Sequence, residues 1–198
     1  MEKTIVLATQ NQGKVKEMNE ILEKLGLSAI TRDDAGVPKE YDVVEDGETL
    51  EENSYKKAKA ILEICGKPTL ADDSGLMVDY LNGAPGVYSA RFAGEQCSHE
   101  DNNRKMLELL DGVPWEKRTA RFRTVITLLF PDGREIVASG DCEGHIAVSL
   151  QGDGGFGYDP LFVPDGYDET FAQLGRDIKN SISHRAKALI SLEKQLTE

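Results

Sequence analysis

The stretch ARFRTVITLLFPDGREIVA, residues 120–138, decides the class of fold. Ala120, Phe122, Thr124, Ile126, Leu128 and Phe130 occupy every second position, the period of a strand with one face on a core. Pro131-Asp132-Gly133 then supplies a turn, and Glu135-Ile136-Val137-Ala138 resumes the extended pattern. Two strands joined this closely form an antiparallel hairpin. The chain upstream has a different rhythm. Residues 4–8, TIVLA, read as a short buried strand. A helix follows the NQGK turn, with Val15, Met18, Ile21, Leu22 and Leu25 at helical spacing and Gly26 as its stop. Thr49 to Glu52 has the T-x-x-E form of a capping box and opens a second helix to about Cys65. Pro68-Thr69-Leu70-Ala71 reads as a strand arriving at Asp72. Alternating strands and helices imply crossovers and some parallel pairing. Together with the hairpin they predict a mixed-sheet α/β or α+β protein.

Further along, NGAPG is rich in turn residues, and Ser98 is placed to cap a third helix carrying Met106, Leu107 and Leu110. QGDGGFGYDP is a glycine-dense loop. A last helix is expected to begin near Ser181–Ser183 and to bury Leu189, Leu192 and Leu196. No repeat, low-complexity segment or linker interrupts the chain.

The 198 residues suit one domain or two small lobes, and a hydrophobic fraction of 39% suffices for a real core. No apolar run is long enough to span a membrane, and MEKTIVLATQ lacks a signal-peptide pattern, so a soluble, cytoplasmic protein is expected. Cys65, Cys97 and Cys142 are widely separated and odd in number, which argues for buried free thiols over disulfides or a zinc knuckle. A net charge of -12 disfavours nucleic acid as a partner, because phosphate backbones need a basic face. A small anion remains possible if a local basic pocket or a metal receives it.

Four polar clusters interrupt the scaffold. Thr9-Gln10-Asn11-Gln12-Gly13-Lys14 joins strand to helix, where free N–H groups and Lys14 could receive phosphate. It is too short for a Walker loop, and the plainer reading is an ordinary N-capped strand–helix turn. Glu45-Asp46-Gly47-Glu48 precedes Asn53 and Lys57, which share a helix face; acids there usually answer the helix dipole, but they could hold a metal. Asp72-Asp73-Ser74 offers hard oxygen ligands suited to Mg²⁺ and a possible general base, or else a strand-end Asx-turn. It is not the DxDxT phosphatase motif. Phe156 to Pro160, with Lys179 and Ser183-His184-Arg185, combines a ring placed for stacking with donors for a carbonyl oxygen. The plainer alternatives are a loop packed on the core and a capped helix start. One nucleoside triphosphate would use all four clusters.

At this point the chain closely resembles the inosine triphosphate pyrophosphatases, the XTP/dITP diphosphatases. The resemblance rests on ATQNQGKVKE, EDGETLEENSYKKA, LADDSGLMVD, LNGAPGVYSAR, GGFGYDPLF and KNSISHRAKAL, in the family's order and spacing over essentially the whole chain. Gln10 stands where a glycine is common. The resemblance implies a single domain over residues 1–198, with two lobes around a long central mixed sheet and the site in the cleft between them. It implies hydrolysis of ITP, dITP or XTP to the monophosphate and pyrophosphate with Mg²⁺, cleansing the nucleotide pool, and a homodimer. Thr9, Gln10, Asn11, Gln12, Gly13 and Lys14 would hold the phosphates, with Lys57 beside them. Glu45 and Asp73 would hold magnesium, and Asp73 would accept the proton of the attacking water while Asp72 supports. Ser74 would contact substrate, and Phe156, Gly157, Tyr158, Asp159, Lys179, His184 and Arg185 would hold the base and sugar. The rivals are a pyrophosphatase of other base specificity and a nucleotide sensor without turnover.

Overall fold

The computed structural model describes residues 4–24 and 26–197; the side chains of Glu17 and Ile21 lie outside the description, as does Leu25. The helical spacing assigned to Ile21 and Leu25 is therefore outside the described residues. The elements run β1 (Thr4–Leu7), α1 (Gln12–Lys24), β2 (Ser28–Thr31), α2 (Leu50–Cys65), β3 (Thr69–Val78), β4 (Pro85–Gly86), α3 (His99–Leu109), β5 (Thr119–Leu129), β6 (Glu135–Ile146), β7 (Phe162–Pro164), α4 (Phe171–Leu174), α5 (Arg176–Ile182) and α6 (His184–Thr197).

Among the described residues these strands form one mixed sheet in the order β2-β1-β3-β5-β6-β7, with β4 paired to β3. β1 pairs in parallel with both β2 and β3, and β6 pairs antiparallel with β7. The hairpin closes as its sequence predicts: Phe130 N donates to the Arg134 carbonyl at 2.9 Å. The mixed α/β class is thus the observed one. Strand β2 and strand β7 escape the sequence pattern because each is only three or four residues long.

The chain divides into two compact units. The first comprises residues 1–73, 124–139 and 188–198; the second comprises 74–123 and 140–187. In the first unit, α1 and α6 cover one face of the sheet: Val15, Met18, Leu22, Leu189 and Leu192 pack on Ile5, Leu7, Leu70, Ile126 and Leu128. On the other face, Ala58 and Ile61 of α2 pack on Val6, Ala8, Ala71 and Leu129. β5 is therefore buried on both faces from Thr124 to Leu129, and the expected one-sided alternation holds only over its first half. In the second unit, Leu76, Val78, Met106, Phe122, Phe162 and Phe171 gather in one core.

Three local expectations need correction. The strand expected to stop before Asp72 continues to Val78, so no strand-end Asx-turn forms at the two aspartates. The last helix is two helices: α5 ends at Ile182, Ser183 takes an extended conformation, and α6 starts at His184. Leu189 and Leu192 are buried there, while Leu196 is only partly so. All three cysteines are free, but only Cys142 is buried, and burial pushes its thiol up to about 11. Thr49 caps α2 by accepting from Glu52 N, and Ser98 forms a reciprocal box with Asp101 at α3. The Glu52 carboxylate reaches back to Glu48 N, one residue before the cap. No described helix is long and apolar enough to cross a membrane.

Candidate active site

A strand turns successive side chains to opposite faces. Asp72 and Asp73, adjacent in mid-strand, therefore cannot serve the same side. Leu70 belongs to the core under α1 and α6, and Ala71 to the core under α2. By alternation, Asp72 follows Leu70 and Asp73 follows Ala71.

The partners obey this division. Asp72 is 1% exposed, and its carboxylate pairs with Lys14 of α1 at 2.9 Å. Asp73 receives a hydrogen bond from Asn53 of α2. Lys57, one turn further along α2, pairs with Glu45 and donates to the Asp72 carbonyl at 3.0 Å. Burial works against the charge on Lys57, yet Asp72, Glu45 and Asp73 together hold its pKa above the usual lysine value. Asp73 goes the other way. Burial raises its pKa to about 6; Lys57 and Asn53 oppose that rise, while Glu45 and Asp72 add to it.

Asn53 is 2% exposed, and its Oδ1 accepts from Gly47 N at 2.8 Å. One side chain thus anchors the acidic loop and orients Asp73. The loop must come very close for this. A Cβ on Gly47 would stand 2.6 Å from Asn53 Oδ1. The pairing of Asn53 with Lys57 on one helix face was legible from their spacing; the link to Gly47 was not.

The loop Thr9–Lys14 is capped from within. Asn11 Oδ1 accepts from Gly13 N at 3.0 Å and Lys14 N at 3.2 Å, and Asn11 N donates to Thr9 Oγ1 at 3.1 Å. The N-capped-turn reading of this motif is thus present. It does not exclude phosphate contact, because Lys14 still brings its ammonium to the strand.

Two carboxylates, Glu45 and Asp73, act electrostatically on one another beside Lys57. No group of three metal-ligating side chains occurs among the described residues. This donor set fits a Mg²⁺ ion held by one or two carboxylates that draws its other ligands from substrate phosphates and water. It does not fit a metal caged by protein alone.

The second unit brings together Phe156–Asp159, Lys179 and the start of α6. Phe156 is 67% exposed, with its ring edge-on to His99 at 4.4 Å. Asp159 is buried; its Oδ2 accepts from Phe156 N at 2.8 Å and from Lys179 Nζ at 2.6 Å. Gly155 has φ +88°, and a Cβ there would meet Asp159 Oδ2 at 2.5 Å, so the loop requires glycine. Tyr158 is also buried. Its hydroxyl donates to the Ser89 carbonyl at 2.7 Å, and burial pushes its pKa up. Asn103 of α3 donates to the Gly157 carbonyl at 3.0 Å. Tyr158 and Asp159 therefore hold the loop, and Phe156 is its ring open to stacking. His184 is 7% exposed and stacks on Phe122 with centroids 4.9 Å apart. Arg185 follows it, half-buried in the first turn of α6, and Ser74 is half-buried in β3.

The site is thus a lysine–carboxylate cluster set in mid-strand on a mixed α/β sheet. The family profile of the Ham1 family matches residues 5–195, and the chain belongs to that family. A protein of Desulforamulus reducens named dITP/XTP pyrophosphatase is 55% identical over 185 residues, 93% of this chain and 91% of its own. One of the same name from Geobacter sulfurreducens is 48% identical, over 97% of this chain and 96% of its own. The Ham1 protein of Staphylococcus aureus shares the fold with a TM-score of 0.89 at 40% identity, covering 98% of both chains. A HAM1 protein of Coxiella burnetii matches with a TM-score of 0.90 at the same identity and coverage.

Proposed function

We propose that this protein is a nucleoside triphosphate pyrophosphatase of a single domain, hydrolysing dITP, ITP and XTP to the monophosphate and pyrophosphate with Mg²⁺. The observation that carries the reading is Asp73, a carboxylate held near pKa 6 between Lys57 and Asn53, in a chain 55% identical to a named dITP/XTP pyrophosphatase. A carboxylate raised to that value is still ionised at neutral pH and is a stronger base than an ordinary aspartate, which suits proton abstraction from water.

In this mechanism Asp73 accepts the proton of the water that attacks the α-phosphorus. Asp72 does not compete for that role, because its carboxylate is bound to Lys14. Lys57 and Lys14 stabilise the charge developing on the leaving pyrophosphate. Glu45 and Asp73 are the residues that would hold Mg²⁺, whose chemistry is to neutralise and align the phosphates. Phe156 stacks on the base. Lys179, after its bond to Asp159, keeps further N–H groups for the C6 oxygen of hypoxanthine or xanthine, and His184 and Arg185 would be its fellow donors. Adenine offers an amino group at that position and would set donor against donor, leaving polar groups unpaired. The expected removal of these nucleotides before incorporation into DNA and RNA, the homodimer, the cytoplasmic setting and the absence of a nucleic-acid partner belong to the same proposal and draw support from the resemblance and the acidic composition.

The test is a product assay with ITP, dITP, XTP, GTP, ATP and dTTP in parallel with magnesium. Pyrophosphate released from the first three and little from the others is the expected result. Release of inorganic phosphate would place attack at the γ-phosphorus and refute the mechanism.

A further inference from the structure

Arg32 follows β2 and is 5% exposed. Its Nη2 donates to the carbonyls of Pro38, at 3.2 Å, and Tyr41, and the guanidinium lies 5.9 Å from the Tyr41 ring centroid. Both bonds leave from that one nitrogen. The buried Nε has no hydrogen-bond partner, and no carboxylate forms an ion pair with the group among the described residues. The contrast with Arg118 is instructive. Arg118 is just as buried, but its Nε reaches Ile146 O, its Nη1 Leu110 O and Val113 O, and its Nη2 Ala147 O. Arg118 is a satisfied structural clip, whereas Arg32 is a buried cation with a spare donor. Such a group is costly unless an anion completes it.

Arg32 also lines a cavity of about 100 Å³ with Thr9, Gln10, Gln12, Thr31 and Asp33. That is roughly the volume of three waters, space enough for one tetrahedral oxyanion. Gln12 is the first residue of α1, a helix of 13 residues whose N-terminal dipole favours negative charge. Gln10 donates to the Lys39 carbonyl at 3.0 Å and ties this loop to the segment that Arg32 holds. Asp33, exposed at the wall, is the one lining group that opposes an anion.

We propose that this cavity is a binding subsite for a single phosphate group, with Arg32 as its cation. The inference rests on the triphosphate reading above, in which the occupant is the terminal phosphate of the substrate; free inorganic phosphate offers the same oxyanion. The experiment is calorimetric titration of the purified chain with inorganic phosphate, without magnesium, for the wild type, Arg32→Gln and Asp33→Asn. One phosphate should bind per chain. Arg32→Gln should weaken it by about tenfold, the loss of one charge-assisted hydrogen bond, and Asp33→Asn should tighten it a few-fold. The opposed signs guard against misfolding, since a loosened loop would not bind more tightly. If KM for dITP moves with these constants while kcat moves less, the occupant is the substrate's terminal phosphate. If phosphate binding responds and KM does not, the occupant is free phosphate. Absence of binding, or equal binding by all three proteins, overturns the subsite. Should no triphosphate be hydrolysed while the binding pattern persists, the enzymatic reading fails and the subsite stands.

Discussion

At Asp73, chemistry and stability pull in opposite directions. Its pKa is raised in the folded state from 3.8 to about 6, so the folded chain holds this proton more tightly than the unfolded one. Well below pH 3.8 the group is neutral in both states and costs nothing. Between pH 4 and 6 the unfolded state loses its proton first, so stability falls as pH rises; above 6 the penalty is constant, on the order of 2–3 kcal/mol. Asp73→Asn should therefore raise the melting temperature at pH 7.5 and much less at pH 4, while turnover drops by about 10²–10⁴-fold. Thermal scans and steady-state rates on the same preparation check both halves; near-normal turnover would remove Asp73 from its role. Asp72 should behave differently. Lys14→Met removes the ion-pair partner of a carboxylate that is 1% exposed and should cost about 3 kcal/mol by denaturant unfolding. Adding Asp72→Asn should recover most of that loss, because the buried charge goes with it. The sequence made both aspartates conspicuous, but which of them is tied to Lys14 depends on the face each takes, and that needed the strand to be seen running through them.

At the scale of elements, α2 is the organiser. Its Asn53 and Lys57 reach the acidic loop and β3 together, and Gly47 permits the approach. Gly47→Ala should push Asn53 off the loop, costing about 1–3 kcal/mol in stability. Losing the Asn53 hydrogen bond should also move the acid limb of the pH–rate profile upward, since that bond lowers the Asp73 pKa. An unchanged profile would mean that Asn53 does not orient the base. Helix starts were legible because caps are local chemistry, as Thr49 and Ser98 show. The continuation of β3 was not, because Asp72-Asp73-Ser74-Gly75 has poor strand propensity and is held extended by its neighbours. Likewise Tyr158 and Asp159 look like ligand residues in sequence; their partners, Ser89 and Lys179, lie far along the chain. Nothing in TRDDAG distinguishes Arg32 from an ordinary loop arginine.

For the whole molecule, the charge of -12 sets the approach of any anionic substrate. A net charge of this sign repels an anion at long range, so attraction must come from nearby cations such as Lys14 and Lys57. Added salt screens the longer-range repulsion more than contacts at close quarters. At fixed magnesium, kcat/KM for dITP should therefore stay level or rise up to about twofold between 10 and 150 mM sodium chloride; a steep fall would show that a basic surface steers the substrate in. The same charge predicts no shift of duplex DNA in a gel at low salt. The passage of β3 through the paired aspartates also limits how this gene can change. Point substitutions alter one side of the strand at a time. Deleting a single codon between Leu70 and Asp72 would slip the register and exchange the faces of the two acids, turning Asp73 towards α1 and Asp72 towards α2. Descent with length variation is open to the loops of such a protein and closed to this one decapeptide.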